Sequence, residues 1–283
     1  MVKLPFTIDL SDKVAIVTGA GGVICSYLAS AIASCGAKVA LLDINEEAAQ
    51  NAAGEIKASG GTAMGVKCDV LDRESLQLAH KEIIKVFGKC SILLNGAGGN
   101  HPKATTTSET FKRDRVTIEK TFFDLDKEGI QFVFDLNFIG TFLATQEFSQ
   151  DMIDGGDSVI INISSMNAFT PLTKIPAYSA AKASVSNFTQ WLAVYFAEAG
   201  IRVNAIAPGF VSTKQTKALF YEADGITPTS RLHKIIARTP QGRLGKPEDI
   251  AGTLLWLLCS EASGFVTGAV IPVDGGYSSY SSV

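Results

Sequence analysis

The chain is short of charge, and it carries no block of one sign. Of its 283 residues only 19% are charged, and 28 Asp and Glu stand against 25 Lys and Arg, a formal net charge of -3. A nucleic-acid binder needs a basic patch or stripe, so no nucleic-acid partner is expected. No apolar run approaches the roughly 20 residues of a membrane span. Met1–Leu10, with one Lys, Pro5 and Asp9, lacks the apolar stretch of a secretion signal. No membrane partner is expected, and the location that follows is cytoplasmic. Cysteine and histidine are also sparse. Cys25, Cys35, Cys68, Cys90 and Cys259 form no CxxC pair, and the three histidines are dispersed. Neither a disulfide framework nor a metal site is signalled, and reduced thiols are the expectation.

What is present suits a buried core. Hydrophobic residues make up 46% of the chain and the mean hydropathy is +0.21, which argues against disorder. Compact runs rich in Val and Ile predict strands at Val14–Thr18, Lys38–Asp43, Thr62–Lys67, Ser91–Asn95, Ser158–Ser164, Ile201–Ala207 and Ala269–Val273. Runs of that kind fit parallel strands buried on both faces. Helical candidates lie between them: Gly22–Ser34, Glu46–Ser59, Arg73–Phe87, Gln131–Met152, Tyr178–Ala199 and Pro247–Ser260. The alternation predicts an α/β fold, a doubly wound parallel sheet with helices on both faces. Gly99–Gly129, carrying His101, Lys103, Lys112, Arg113 and Arg115, and Phe210–Lys246 break the rhythm. No linker or repeat divides the sequence, so residues 1–283 are expected to form one domain with these two insertions shaping a pocket.

The first strand runs into Thr18-Gly-Ala-Gly-Gly22 and then into a helix. A helix N-terminus offers unpaired N–H groups and partial positive charge, which suits a pyrophosphate. Asp43 ends the next strand, where a carboxylate would bond adenosine ribose hydroxyls and repel a 2′-phosphate. No Arg follows to neutralise such a phosphate, so NAD is expected over NADP; a helix N-cap is the plain alternative for Asp43. Asn95-Gly-Ala-Gly98 adds a second turn of small residues that admits a flat ligand.

Chemistry is carried by Ser164-Ser165 after a strand, followed by Tyr178 and Lys182. Residues at i and i+4 share a helix face. An ammonium near a phenol favours the phenolate, so Lys182 is expected to lower the Tyr178 pKa and make it a usable acid/base for a carbonyl/alcohol pair. Ser165 could hold the substrate oxygen. An isolated YxxxK is otherwise an ordinary surface pair.

With these motifs the chain resembles the short-chain dehydrogenase/reductases, from about Ser11 to Gly276. Thr18-Gly19, Asp43, Asp69-Val70, Asn95-Gly-Ala-Gly98, Asn137-Phe-Ile-Gly140, Ser165, Tyr178-Ser-Ala-Ala-Lys182, Pro208-Gly209 and Val273-Asp-Gly-Gly276 match in order. The resemblance implies a Rossmann fold with a seven-stranded sheet and NAD as cofactor. It makes Tyr178 the acid/base, has Lys182 bond the nicotinamide ribose, Ser165 orient the substrate and Asn137 hold a water in a proton relay. Gly19, Gly21, Gly22, Val23 and Ile24 would form the phosphate turn, and Asp69 and Val70 would flank the adenine. Asn95, Ala97 and Gly98 would face the cofactor, and Pro208, Gly209, Val211 and Thr213 would line its nicotinamide end. One departure stands out: Val23 and Cys25 occupy the second and third glycine positions of the TGxxxGxG loop, and β-branched Val23 disfavours unusual backbone angles.

Gly98-Gly-Asn-His-Pro102, Thr121–Asp126 and Ser164–Tyr178 are similar to the D-mannonate oxidoreductases of this superfamily, also called fructuronate reductases. That likeness implies a small sugar-acid substrate, with His101, Lys103, Asn167 and Lys174 as candidate contacts, at least one of the two lysines meeting the carboxylate and His101 and Asn167 bonding hydroxyls. Another polyol, sugar acid or acyl ketone is the alternative on the same fold, and a non-catalytic NAD-binding regulator is a third reading. Family likeness and symmetry rules imply a homo-oligomer, a D₂ tetramer, with Gln131–Met152 and Ala269–Val273 as candidate interfaces.

Overall fold

Short aliphatic runs form the strands β1 (Val14–Thr18), β2 (Lys38–Asp43), β3 (Thr62–Lys67), β4 (Ile92–Asn95), β5 (Ser158–Ile163), β6 (Ile201–Pro208) and β7 (Val270–Val273). This is a computed structural model describing residues 7–113, 120–153, 155–213, 216 and 219–281; Arg115 lies outside them. The strands make one parallel sheet in the order β3-β2-β1-β4-β5-β6-β7. β1 and β4 are neighbours although far apart in sequence, with Thr18 beside Asn95. On either side of this pair the chain winds in opposite directions, which opens a crevice at the strands' carboxyl ends.

Both faces of the sheet are buried, as the unbroken apolar strands require. On one face Leu28 and Ile32 of α1 (Val23–Ser34) pack with Ile250, Leu254 and Leu257 of α8 (Pro247–Leu258). On the other, Leu76 and Ile83 of α3 (Arg73–Phe87) join Phe148, at the end of α5 (Gly140–Phe148), and Leu192 of α6 (Pro176–Tyr195). Fully burying each such side chain contributes about 1.5–3 kcal/mol. Local caps set the helix starts. Asn45 accepts from the Ala48 N–H at the head of α2 (Glu46–Ala58), and Asp72 accepts from Glu74 at the head of α3.

Two segments differ from the sequence reading. Gln131–Met152 is not one helix. α4 (Lys127–Phe134) passes through a π turn at Asp135–Ile139 into α5, and a 3₁₀ turn, Ser149–Met152, follows. The cause is local: the Asn137 amide donates to the Val133 carbonyl and reaches across to Gly99, which draws this turn open. The second insertion is not wholly irregular either. α7 (Ser230–Arg238) forms there, started by Thr229, whose hydroxyl accepts from the Leu232 N–H. Leu232 and Ile235 of α7 close over Phe220 as a separate small core, with Phe210 against it. Among the described residues, no helix is long and apolar enough to cross a membrane.

Candidate active site

A cavity of about 710 Å³ lies at the crevice between β1 and β4, lined by the turns that follow β1, β2, β3, β4 and β6. Its floor is made of close backbone contacts. Gly19 adopts φ +65°, and a Cβ there would lie 2.7 Å from the Ala97 Cα. A side chain at Gly19 is therefore excluded twice, by backbone angle and by space. Thr18 Oγ1 ties the two turns together by accepting from the N–H groups of Gly96 and Ala97.

The departure at Val23 and Cys25 costs the turn nothing. Gly22 is extended (φ -77°) and Val23 is already the first residue of α1, so no β-branched residue takes a strained angle. The Cys25 thiol fills the space beneath Gly96, where a Cβ would meet its Sγ. α1 begins without a side-chain cap, so its first-turn N–H groups are not satisfied by a neighbouring side chain. That is the arrangement a pyrophosphate completes.

Asp43 accepts from the Gly21 N–H at 2.9 Å and from the Asn45 N–H at 2.9 Å. It is not the N-cap of α2; Asn45 is. The carboxylate thus braces the glycine turn while facing the cavity, beside exposed Ile44. Asp69 and Val70 line the same cavity, Asp69 held by accepting from the Leu71 N–H. Gly209, Val211 and Thr213 line its far end, with Thr216 Oγ1 donating to the Val211 carbonyl. Four residues expected at the cofactor do not line it: Tyr178 and Lys182, described below, and Asn95 and Pro208. Asn95 spends its amide on Thr145 Oγ1 and Asn162 Oδ1, both 2.9 Å away in the core, and Pro208 lies buried at the end of β6. Both hold the turns that follow them. Leu136, Phe210 and Phe220 line the cavity without a sequence signal, since an apolar wall residue looks like any core residue.

The remaining groups are not part of the cavity lining and gather behind Gly98. A Cβ at Gly98 would lie 2.6 Å from Asn137 Oδ1 and 3.1 Å from Lys182 Nζ, so these three residues converge. Both N–H bonds of the Asn137 amide are committed, to Gly99 O at 2.7 Å and Val133 O at 2.8 Å. Asn137 has no side-chain N–H left for a water relay; it braces the Gly98–Gly99 turn. Lys182 is buried and donates to the Ile163 carbonyl at 2.8 Å. Burial brings its pKa down to about 8. Its Nζ lies 5.7 Å from the centre of the Tyr178 ring.

The phenol corrects an expectation. Burial raises the Tyr178 pKa, and the Ser165 hydroxyl facing it only partly offsets this. Lys182 shares the helix face as the spacing predicted, but its ammonium is turned to a main-chain carbonyl rather than to the phenol oxygen. Desolvation therefore wins over charge. Ser165 is oriented by the Asn167 N–H, which donates to its Oγ at 3.2 Å. Ser164 Oγ donates to the Lys182 carbonyl, at 3.2 Å, and so locks the end of β5 to α6.

The outer residues divide. His101 Nδ1 accepts from the Lys103 N–H, and its ring packs on Phe132 at 5.1 Å. Lys103 does not face a pocket: its ammonium sits between Glu128 (3.4 Å) and Asp126 (3.6 Å) on the surface, and these carboxylates raise its pKa. Both partners belong to the start of α4, so its charge is paired on the surface at that helix end. Lys174 is half-buried with φ +73°, an angle unusual for a side-chain-bearing residue, and its carbonyl accepts from Thr106 of the first insertion. Lys234 of α7 pairs with Glu109 at 2.8 Å, joining the two insertions.

Known proteins sharpen this geometry. A family model described as enoyl-(acyl carrier protein) reductase matches residues 19–278. An uncharacterised oxidoreductase of Haemophilus influenzae is 55% identical over 275 residues, 97% of this chain and 96% of that protein. The 7α-hydroxysteroid dehydrogenase of Escherichia coli is 34% identical over 267 residues, 94% of each. The chain belongs to the short-chain dehydrogenase/reductase family. A crystal structure from Haemophilus influenzae with bound NAD, provisionally described as a D-mannonate oxidoreductase, superposes with a TM-score of 0.95 at 54% identity, covering 99% of this chain and 100% of that one. A 7α-hydroxysteroid dehydrogenase complex with NADH and 7-oxo glycochenodeoxycholic acid gives 0.82 at 32%, covering 98% of each. This protein is an NAD-dependent oxidoreductase of that family, and its cavity fits the dinucleotide: an uncapped helix start, a carboxylate at the end of β2 and a glycine floor.

Asp43 should decide the cofactor. Replacing it with Ala together with Ile44→Arg should raise the NADP-to-NAD ratio of kcat/KM by about 10²-fold, the size of one new charged hydrogen bond plus lost repulsion; steady-state kinetics with both cofactors check this. Lys182 should show in stability against pH. Between its folded pKa of about 8 and its ordinary 10.5, only the unfolded chain holds this proton, so unfolding becomes harder as pH rises. Stability of the cofactor-free protein, measured relative to Lys182→Met by urea titration, should climb by about 3 kcal/mol from pH 8 to 10.5 and be flat below pH 7.

Proposed function

We propose that the protein interconverts a keto-uronate and a sugar acid, D-fructuronate and D-mannonate, by hydride transfer. The observation that carries this reading is Lys174: a half-buried cation, in left-handed backbone conformation, on the segment that joins Ser165 to Tyr178. An unpaired carboxylate inside a closed site is costly, and a cation reaching it from this segment would remove that cost. The likeness to the Haemophilus structure described as a D-mannonate oxidoreductase supports the same substrate class.

Bound NAD supplies the hydride acceptor and NADH the donor. The protein's own groups handle the proton. Tyr178, held protonated by burial, donates from its Oη to a carbonyl oxygen as that oxygen gains charge, and takes the proton back in the reverse direction. Ser165, oriented by the Asn167 N–H, turns its hydroxyl to the same oxygen. Lys182 places a cation beneath Tyr178 and next to Gly98, where the nicotinamide ribose would lie. Asn137 positions the Gly98–Gly99 turn. His101 would bond a substrate hydroxyl.

The same reading puts the protein in the cytoplasm, with its five cysteines outside disulfides, and makes it a homo-oligomer, a D₂ tetramer. Phe138 and Phe142, from the broken helix, pack against Phe188, which stacks on Trp191, and Trp191 stacks on Tyr195. Trp191 is 54% exposed and Tyr195 66%, an aromatic face that a second copy would cover. Sedimentation at micromolar concentration should show a single species larger than the monomer, and a monomer would refute the assignment.

The substrate is tested by offering sugar acids and neutral polyols with NAD and following NADH absorbance, with Tyr178→Phe as the inactive reference. D-mannonate should be the preferred acid. Lys174→Met should lower kcat/KM for it by roughly 10–100-fold, the equivalent of a charged hydrogen bond of about 1.5–3 kcal/mol, while a neutral polyol of similar length changes little. Lys103→Met should leave both unchanged. Equal losses on acid and polyol in Lys174→Met would remove the support for a uronate.

A further inference from the structure

The chain beyond β7 passes behind the cofactor cavity without lining it. It lies against the residues that follow α7: the Gln241 N–H donates to the Gly275 carbonyl at 3.2 Å, and a Cβ at Gly276 would sit 3.1 Å from the Pro240 ring. Gly276 also has φ +87°, so backbone angle and space both disfavour a side chain there. This turn delivers Tyr277, which is 6% exposed, to a place between α7 and the cavity wall.

On one side its ring meets Phe210, with 5.3 Å between ring centres and 71° between planes. On the other, the guanidinium of Arg238, the last residue of α7, lies 5.3 Å from the centre of the same ring. Edge-on aromatic pairs and cations beside a ring both attract through the ring's charge distribution. The ring makes both contacts; the hydroxyl makes neither. Phe210 lines the cavity beside Gly209 and Val211, and it meets Phe220, another lining residue, edge-on at 6.4 Å. A row of side chains therefore runs from exposed Arg238 through Tyr277 to the wall, and the hydride chemistry makes no use of it.

We propose that Tyr277 is a positioning residue for the nicotinamide end of the cofactor: its ring fixes Phe210 and ties α7 to it through Arg238, so nicotinamide binding depends on a side chain outside the cavity lining. This rests on the reading that puts the nicotinamide at the Gly209 end of the cavity, and on no assignment of substrate. Without the ring, Phe210 is free to turn about its own side-chain bonds, and the wall it forms loses its shape. The turns that carry Asp43 and Asp69 do not include this row, so the adenosine end keeps its fit.

The test measures binding to the whole chain, of NADH by fluorescence titration and of ADP-ribose, which lacks only the nicotinamide, by its displacement of NADH. Tyr277→Leu should weaken NADH roughly tenfold, the worth of its ring contacts, and ADP-ribose by less than about twofold. A general loosening of the fold would weaken both. Tyr277→Phe keeps the ring and should bind NADH within about twofold of wild type. Arg238→Gln, at an exposed position, should weaken NADH about two- to fivefold and add nothing in the Tyr277→Leu background. Phe210→Ala alters the wall itself and should weaken NADH roughly tenfold while sparing ADP-ribose. If Phe210→Ala weakens both ligands alike, the nicotinamide is not at this end, and the proposal falls with that placement. If Phe210→Ala spares ADP-ribose but Tyr277→Leu leaves NADH unchanged, or weakens both ligands alike, the placement stands and the role of Tyr277 is overturned. A Tyr277→Phe protein as weak as Tyr277→Leu overturns it too. Should Tyr277→Leu fail to fold, Arg238→Gln decides, and unchanged NADH binding there refutes the proposal.

Discussion

Everything in the site hangs on how closely two pieces of backbone pass each other. β1 and β4 lie side by side, and the chain must leave their carboxyl ends toward opposite faces of the sheet. The turns after them can share that small space only if one carries no side chain, and Gly19 against Ala97 is the contact. Because the turns touch, the uncapped start of α1 and the Gly98 turn come to opposite ends of one cavity. Thr18 Oγ1, bonding both Gly96 and Ala97, fixes the spacing.

The second constraint is a buried charge. Lys182 is packed inside the molecule with a carbonyl as its partner, and burial pulls its pKa toward neutrality. The fold accepts that cost to keep a cation under Tyr178, next to the Gly98 turn. The neighbouring π turn does related service. Opening the helix at Asn137 lets its amide grip Gly99 instead of leaving the turn after β4 loose. The amide of the π turn and the buried cation thus sit within contact of the same glycine, Gly98.

How much of this is legible in the sequence follows from what each feature depends on. Inner strands buried on both faces declare themselves as apolar runs rich in Val and Ile. The two edge strands, β3 and β7, are less buried, and all seven are readable to within a residue or two. Tyr178 and Lys182 are legible because their spacing sets a shared helix face, and Ser165 because it follows a strand, whereas the direction of the Tyr178 pKa is not. It depends on whether Nζ meets the phenol or the Ile163 carbonyl, a choice made by tertiary packing. Lys103 reads as a free cation in the sequence because its partners, Asp126 and Glu128, are more than 20 residues further on. The break at Asn137 is hidden too. A single polar residue in an apolar helix has no helical signature that tells a brace from a ligand.

The second insertion carries its own small core, Phe220 with Leu232 and Ile235, apart from the two that clamp the sheet. Changes within it are absorbed locally, without disturbing the packing that holds β1, β4 and α6 in register. The part of the cavity wall that Phe210 and Phe220 form can therefore drift in shape over evolutionary time at little risk to the sheet packing. A protein that aligns over 94% of this chain at 34% identity and is named for a steroid substrate is the kind of divergence such a partition permits.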